Sequence, residues 1–146
     1  MKKINITLPA SIKYLFCSSL FAQMDIKSVK VIPITKNEIT ESITQLDIIC
    51  KNISSENLTE TNYAIELASW ISGIPMIYYP HGLESAAIRF KSSLQENTKS
   101  HAIIEDIIEA SHNNIVSWEK PSIVQPILIK GADDYSKTKE RWSIIE

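Results

Sequence analysis

Arg89, Ser93 and Glu96 fall at i, i+4 and i+7, so a cation, a hydroxyl and a carboxylate share one side of a helix. A carboxylate so placed can act as a general base, provided a substrate is held against it. By periodicity alone the stripe reads first as a solvated helix face. His112 stands in Glu109-Ala-Ser-His112-Asn113-Asn114, at a helix end and ahead of Ile115-Val116-Ser117-Trp118. An imidazole titrates near neutrality and can act as a general acid or base. A lone His in a polar loop is ordinarily a surface residue, and only a partner acid or base makes it a catalyst. Spacing does not say whether Glu96 and His112 meet. His81 precedes Gly82 in a strand-to-helix turn, a place where ligands often meet parallel sheets, but by itself it is a turn residue. His101 has no supporting context.

The elements that must hold these groups follow from pattern. Leu83, Ala87, Phe90 and Leu94 fall at i, i+4, i+7 and i+11 and form the apolar stripe of the helix that carries Glu96, expected from Leu83 to about Asn97. Pro75 to Tyr79 is a short apolar run of the buried parallel kind, and Val124 to Lys130, ended by Gly131, reads as a second. A helix is expected to hold Ile103, Ile104, Ile107 and Ile108. Asp133 or Asp134 is expected to cap a last helix, whose Trp142, Ile144 and Ile145 have no following strand to cover them, as if the chain were cut short. Upstream, Asn62 caps a helix through Ile65, Ala68, Trp70 and Ile71 that stops at Gly73. Thr35 and Glu38 form a capping box for a helix carrying Ile39, Ile43, Leu46 and Ile49. Asn52 to Asn62 reads as a linker, Val29 to Ile34 as an extended stretch, and Pro9 opens a helical stripe from Ile12 to Phe21. Helices alternating with buried strands predict an α/β fold with a parallel sheet. The expected organisation is a single domain, with residues 1–61 a helical lead-in and linker and residues 62–146 the α/β part.

Composition removes several classes. The chain has 146 residues, 44% hydrophobic and 22% charged, with net charge −2, so no basic footprint for nucleic acid or anionic membrane exists. No stretch reaches the apolar length of a membrane span. Lys2-Lys3 and the following apolar residues imitate a secretion signal, but Pro9 and Lys13 interrupt the run. The two cysteines, Cys17 and Cys50, have neither CxxC spacing nor a zinc pattern. They read as small buried hydrophobes of a reducing cytoplasm, and the Asn-x-Ser/Thr triplets at Asn5, Asn52 and Asn57 as chance matches.

The ordered runs Asn62-Tyr-Ala-Ile-Glu-Leu-Ala, Ile74-Pro-Met-Ile-Tyr-Tyr, Arg89-Phe-Lys91, Glu96-Asn97-Thr98-Lys99, His112-Asn113, Ile115-Val116 and Trp118-Glu119 strongly resemble the archaeal and bacterial bifunctional phosphoglucose/phosphomannose isomerases. The resemblance extends over nearly the whole chain, to Leu8-Pro9 at one end and Lys137-x-x-x-Arg141 at the other. It implies a partial sugar-isomerase (SIS) domain, a short parallel sheet flanked by helices, with a helical N-terminal region. It also implies roles. Glu96 would be the base that moves a proton between C1 and C2 of a hexose 6-phosphate through a cis-enediolate. His112 would assist ring opening in the site of a partner subunit, and Arg89, Asn97 and Lys99 would contact substrate. Neither a metal nor another cofactor is implied.

Departures accompany the matches. Asn114 stands where the family pattern has an acid, Ser117 where it has Gly, and Tyr63 where it has Pro. No Ser-Gly-x-Thr phosphate loop is found, since Ser92-Ser93 lies inside a helix. On this resemblance the chain corresponds to the C-terminal SIS region, without the N-terminal SIS domain and without the family's catalytic Lys. It is therefore expected to be inactive alone, and to work as a cytoplasmic homodimer or with a chain that carries an N-terminal SIS domain. The competing readings are a non-catalytic sugar-phosphate-binding or dimerisation module and a degenerate fragment.

Overall fold

The computed structural model describes residues 4–8 and 35–145. The stripe from Ile12 to Phe21, the stretch Val29 to Ile34 and Cys17 lie outside the described residues. The chain divides into two compact units, residues 1–9 with 73–146, and residues 10–72.

The first unit is a sheet of four parallel strands: β1 (Ile4–Leu8), β2 (Ile74–Tyr79), β3 (Ile103–Asp106) and β4 (Val124–Gly131), in the order β1-β4-β2-β3. Strand β1 comes from the lead-in that was expected to be helical. Strands β2 and β4 are each paired on both sides, so their apolar runs are buried on both faces. Side chains alternate across a strand, so Met76 and Tyr78 of β2 face one side of the sheet and Ile77 the other.

The chain winds about β2. From β2 it passes through α3 (Glu84–Thr98) to β3 on one side, then through α4 (Ile107–His112) and a 3₁₀ stretch (Asn114–Glu119) back across β2 to β4 on the other side. Parallel crossovers are right-handed, so two crossovers in opposite directions put α3 and α4 on opposite faces. The packing agrees. Ile107 and Ala110 of α4 join Met76, Tyr78 and Leu128 in one core with Trp142 of α5 (Ser136–Ile145). Leu83, the N-cap of α3, is buried with Ala86 and Ala87 of the helix, and Phe90 and Leu94 are half-buried, as the predicted stripe requires.

Four expectations are corrected in this unit. Ile103 and Ile104 are strand, paired with Met76 and Ile77 of β2, and helix begins only at Ile107. Asp134 does not cap α5; its Oδ2 accepts the Gly131 N–H at 2.9 Å and the Trp142 indole N–H at 3.0 Å, closing the turn after β4. Trp142 is 3% exposed and so is not an uncovered residue, whereas Ile144 is 79% exposed. Gly73 ends no helix: the preceding helix stops at Trp70, with Ile71 as its extended C-cap. What Gly73 permits is a close approach, since a Cβ there would sit 1.8 Å from the Ile123 carbonyl oxygen.

The second unit contains α1 (Lys36–Asn52) and α2 (Tyr63–Trp70). The capping box forms as read, with Glu38 reaching the Thr35 N–H at 2.6 Å and the Thr35 hydroxyl accepting the Glu38 N–H. That contact holds the Glu38 carboxyl below its usual range, first through the Thr35 backbone and then through its hydroxyl. Asn62 caps α2 through the Ala64 N–H. Its amide also donates to the carbonyls of Ser54 and Asn57, so the linker is a hydrogen-bonded turn. Ile39 and Ile43 are exposed along α1. Cys50 is exposed too, against the expectation of a buried thiol.

Candidate functional site

Helix α3 starts beside the carboxyl end of β2 and must return to the other edge of the sheet before β3 can run parallel. Glu96 is therefore about 18 Å along the axis from Glu84, at the rise of a regular helix, in its last turn. Arg89 and Glu96 are exposed and Ser93 is half-buried, so the predicted stripe is an open helix face. The end of the helix is shaped by Lys99, whose φ of 58° is the left-handed region. A side chain there is strained, and such residues cluster where a local shape is functionally required. Lys99 Nζ donates to the Glu96 carbonyl oxygen, and Asn97 Nδ2 donates to the Ser93 carbonyl at 2.8 Å. Glu96, Asn97 and Lys99 thus form one compact C-terminal turn, with Arg89 two turns back on the same helix.

His112 is elsewhere. Strand β3 delivers the chain to the carboxyl edge, where Asp106 caps α4 by accepting from the N–H groups of Ile108 and Glu109. His112 is the last residue of that six-residue helix and is exposed. Because α3 and α4 lie on opposite faces of the sheet, one chain does not bring Glu96 and His112 together. No hydrogen bond or ion pair joins them among the described residues.

The loop after His112 is tied to the sheet by residues that pattern reading treated as plain core or connection. Tyr78 OH donates to Asn114 Oδ1 at 2.6 Å and accepts from Trp118 Nε1 at 2.9 Å. The two rings lie 6.5 Å apart, inclined at 59°. Burial pushes the Tyr78 hydroxyl up to about 12. The available signal was chemical: a Tyr in a buried strand and a Trp in a half-buried stretch each carry a polar tip that needs a partner.

The carboxyl edge beside β2 and β3 is acidic. Burial raises Glu105, and the Glu109 carboxylate adds to it. The Tyr79 hydroxyl is raised by burial and then by Glu84, Asp106 and Glu105. His81 sits at this edge, beside Gly82 with φ of 85°, and an anionic ligand arriving there meets carboxylates. At the end of β4, burial lowers Lys130 while Asp134 opposes the shift, and just beyond the strand Lys139 Nζ donates to the Ala132 carbonyl. No cluster of three or more His, Cys, Asp or Glu suited to a metal occurs among the described residues. Among the same residues no helix is long and apolar enough to cross a membrane.

A parallel sheet wound in both directions about β2, with motif residues on the helices that follow β2 and β3, defines a partial α/β domain of the SIS type. The model of the bacterial phospho-glucose isomerase C-terminal SIS domain matches residues 60–146, more than half of the chain, and the chain belongs to that family. Comparison with curated proteins and with solved structures gave no match.

Proposed function

We propose that this chain supplies the C-terminal half of an aldose–ketose isomerase site for glucose 6-phosphate or mannose 6-phosphate and fructose 6-phosphate. Glu96 is the base that carries a proton between C1 and C2, and Arg89, Asn97 and Lys99 hold the substrate beside it. His112 opens the sugar ring in the site of a second subunit. The observation that carries this reading is the family match over residues 60–146, which includes every one of these positions. The placement of Glu96 and His112 on opposite faces of one sheet supports it, because two groups so separated serve one substrate only across a subunit boundary.

Chemistry follows from the residue types. A carboxylate can accept a carbon-bound proton once the neighbouring carbonyl is polarised, and the enediolate collapses when the proton returns to the adjacent carbon. Substrate positioning is the other requirement, and its loss can forfeit about 7–11 kcal/mol of barrier reduction. The isolated chain, in whose sequence no Ser-Gly-x-Thr phosphate loop is found, is therefore expected to give no interconversion in a coupled assay.

The test combines this chain with a polypeptide that supplies an N-terminal SIS domain and the family's lysine. Deuterium exchange at C2 is then followed beside net isomerisation. Glu96→Gln keeps the size and hydrogen bonds of the carboxylate without its basicity, and lowers both rates by about 10²–10⁴-fold. His112→Asn slows isomerisation of the cyclic sugar more than C2 exchange from the open chain. Full C2 exchange in Glu96→Gln would refute the assignment and return Glu96 to an ordinary helix face.

A further inference from the structure

We propose that Tyr78 is a positioning residue for His112: its buried hydroxyl, bonded to Asn114, holds the turn that presents the imidazole. What His112 does rests on the isomerase reading; what Tyr78 holds rests on the geometry.

Helix α4 has six residues, fewer than two turns, and a helix so short does not hold itself together in water. Its start is secured by the Asp106 cap at 2.7 and 3.3 Å and by buried Ile107 and Ala110. Its end, where His112 lies, is not secured in that way. The Asn113 amide donates to Glu109 Oε1 at 2.6 Å, but both residues belong to the same exposed turn. The 3₁₀ stretch that follows buries no residue and has no side-chain cap. Among the described residues, the side-chain bonds that tie it to the sheet both go to one atom, the Tyr78 hydroxyl.

The direction of those bonds is fixed by chemistry. An indole N–H only donates, so the Tyr78 oxygen accepts from Trp118. The single phenolic hydrogen is then left for Asn114 Oδ1 at 2.6 Å, in preference to the weakly accepting Met76 Sδ at 3.3 Å. Tyr78 is 3% exposed and fixed between β3 and β4, so its hydroxyl is a rigid reference point. Asn114 is two residues from His112. A turn pinned there restricts where the imidazole can go, and a loop released there lets it wander, at a cost that falls on ring opening rather than on proton transfer at Glu96.

The first measurement is amide hydrogen exchange in the full chain, which needs no activity. Tyr78→Phe and Asn114→Leu are each expected to speed exchange at residues 113–115 by about tenfold, the worth of one hydrogen bond, with β2 and β4 amides unchanged. Asn114→Asp keeps an acceptor for the hydroxyl and stays close to wild type. If Tyr78→Phe weakens the core instead, Asn114→Leu tests the same bond from the loop side. Unchanged exchange at 113–115 in Asn114→Leu overturns the proposal.

The second measurement uses the completed enzyme. Tyr78→Phe lowers isomerisation of the cyclic sugar without changing KM or C2 exchange from the open-chain sugar. The double variant Tyr78→Phe, Asn114→Leu is no worse than Tyr78→Phe alone, because the phenylalanine has already removed the bond that leucine at 114 removes. A parallel fall in isomerisation and C2 exchange overturns the proposal, because a tyrosine that merely supports the fold would affect both. A completed enzyme with no isomerisation at all refutes the isomerase reading instead, and the exchange pattern then decides alone whether Tyr78 holds the His112 turn.

Discussion

Gly73 and Gly82 look alike in sequence, but alanine should affect them through different physics and by different amounts. A Cβ at residue 73 would lie 1.8 Å from the Ile123 carbonyl oxygen, so relief needs more than an ångström of backbone movement. Ile123 cannot simply retreat, because the same oxygen accepts the Ile74 N–H at 2.9 Å. Nor can Gly73, whose N–H donates to Gln125 Oε1 at 2.6 Å. These bonds lie where β2 and β4 first pair, Ile74 opposite Val124. Losing both costs about 2 kcal/mol at roughly 1 kcal/mol each. Residual backbone strain adds about 1–3 kcal/mol. Gly73→Ala is therefore expected to cost about 3–5 kcal/mol, a large share of the ~5–15 kcal/mol that stabilises an ordinary domain. At Gly82 an added Cβ meets nothing within 4 Å, and the cost is that of a φ of 85°, about 1–2 kcal/mol for an L-residue. Urea unfolding of both variants tests the pair, with a shifted midpoint at unchanged slope marking a true stability change. If Gly73→Ala unfolds at the same urea concentration as Gly82→Ala, or above it, the close approach at Ile123 does not hold the strands together.

Two further outcomes concern the core behind the His112 loop. Trp142→Ala, which empties a site among Met76, Tyr78, Ile107 and Leu128, should cost about 3–5 kcal/mol in thermal or urea melts. Trp142→Phe should cost about 1–3 kcal/mol, because it leaves the buried Asp134 carboxylate short of a donor; near-neutral behaviour of both variants would place Trp142 outside the core. At alkaline pH, Tyr78 is a phenol whose folded pKa of about 12 exceeds its ordinary 10.0, raised first by burial. The stability it contributes is complete below about 10 and is lost as pH rises through about 12. An ultraviolet titration should show a tyrosine titrating at about 12 that is absent in Tyr78→Phe, while the upward-shifted Tyr79 remains, and an unchanged profile in that variant would refute the assignment.

What sequence revealed and what it hid divide along the range of the interactions. Thr35 with Glu38, and Asn62 with Ala64, are contacts within three residues, so residue type alone announces them. The apolar run of β2 is legible because burial on both faces demands it. Ile103 and Ile104 were misassigned because four isoleucines at 103, 104, 107 and 108 also fit a helical stripe. Their pairing with Met76 and Ile77, far back in the chain, decides otherwise. Strand β1 escaped for the same reason, since its register partners run from Ile127 to Gly131. Trp142 looked uncovered because its cover, Met76 and Leu128, is remote in sequence. Glu96 and His112 carried no signal beyond a polar stripe and a loop histidine; their roles came from the resemblance alone.

Asn114 shows how a departure from a motif becomes intelligible once its neighbour is known. In sequence it stands where the isomerase pattern has an acid, and the exchange of a charge beside a proposed ring-opening histidine looks costly. In the fold its side-chain oxygen lies 2.6 Å from the Tyr78 hydroxyl. That hydroxyl has one hydrogen to give, so the position requires an acceptor, and amide and carboxylate oxygens both serve. A carboxylate would make the stronger bond, being charged, but would also bring a second anion close to Glu109, in the turn where the Asn113 amide already binds that carboxylate. Asn114 keeps the contact that pins the turn and dispenses with the charge. Replacement by an apolar residue would remove the contact itself, which is why the decisive comparison at this position is leucine against aspartate.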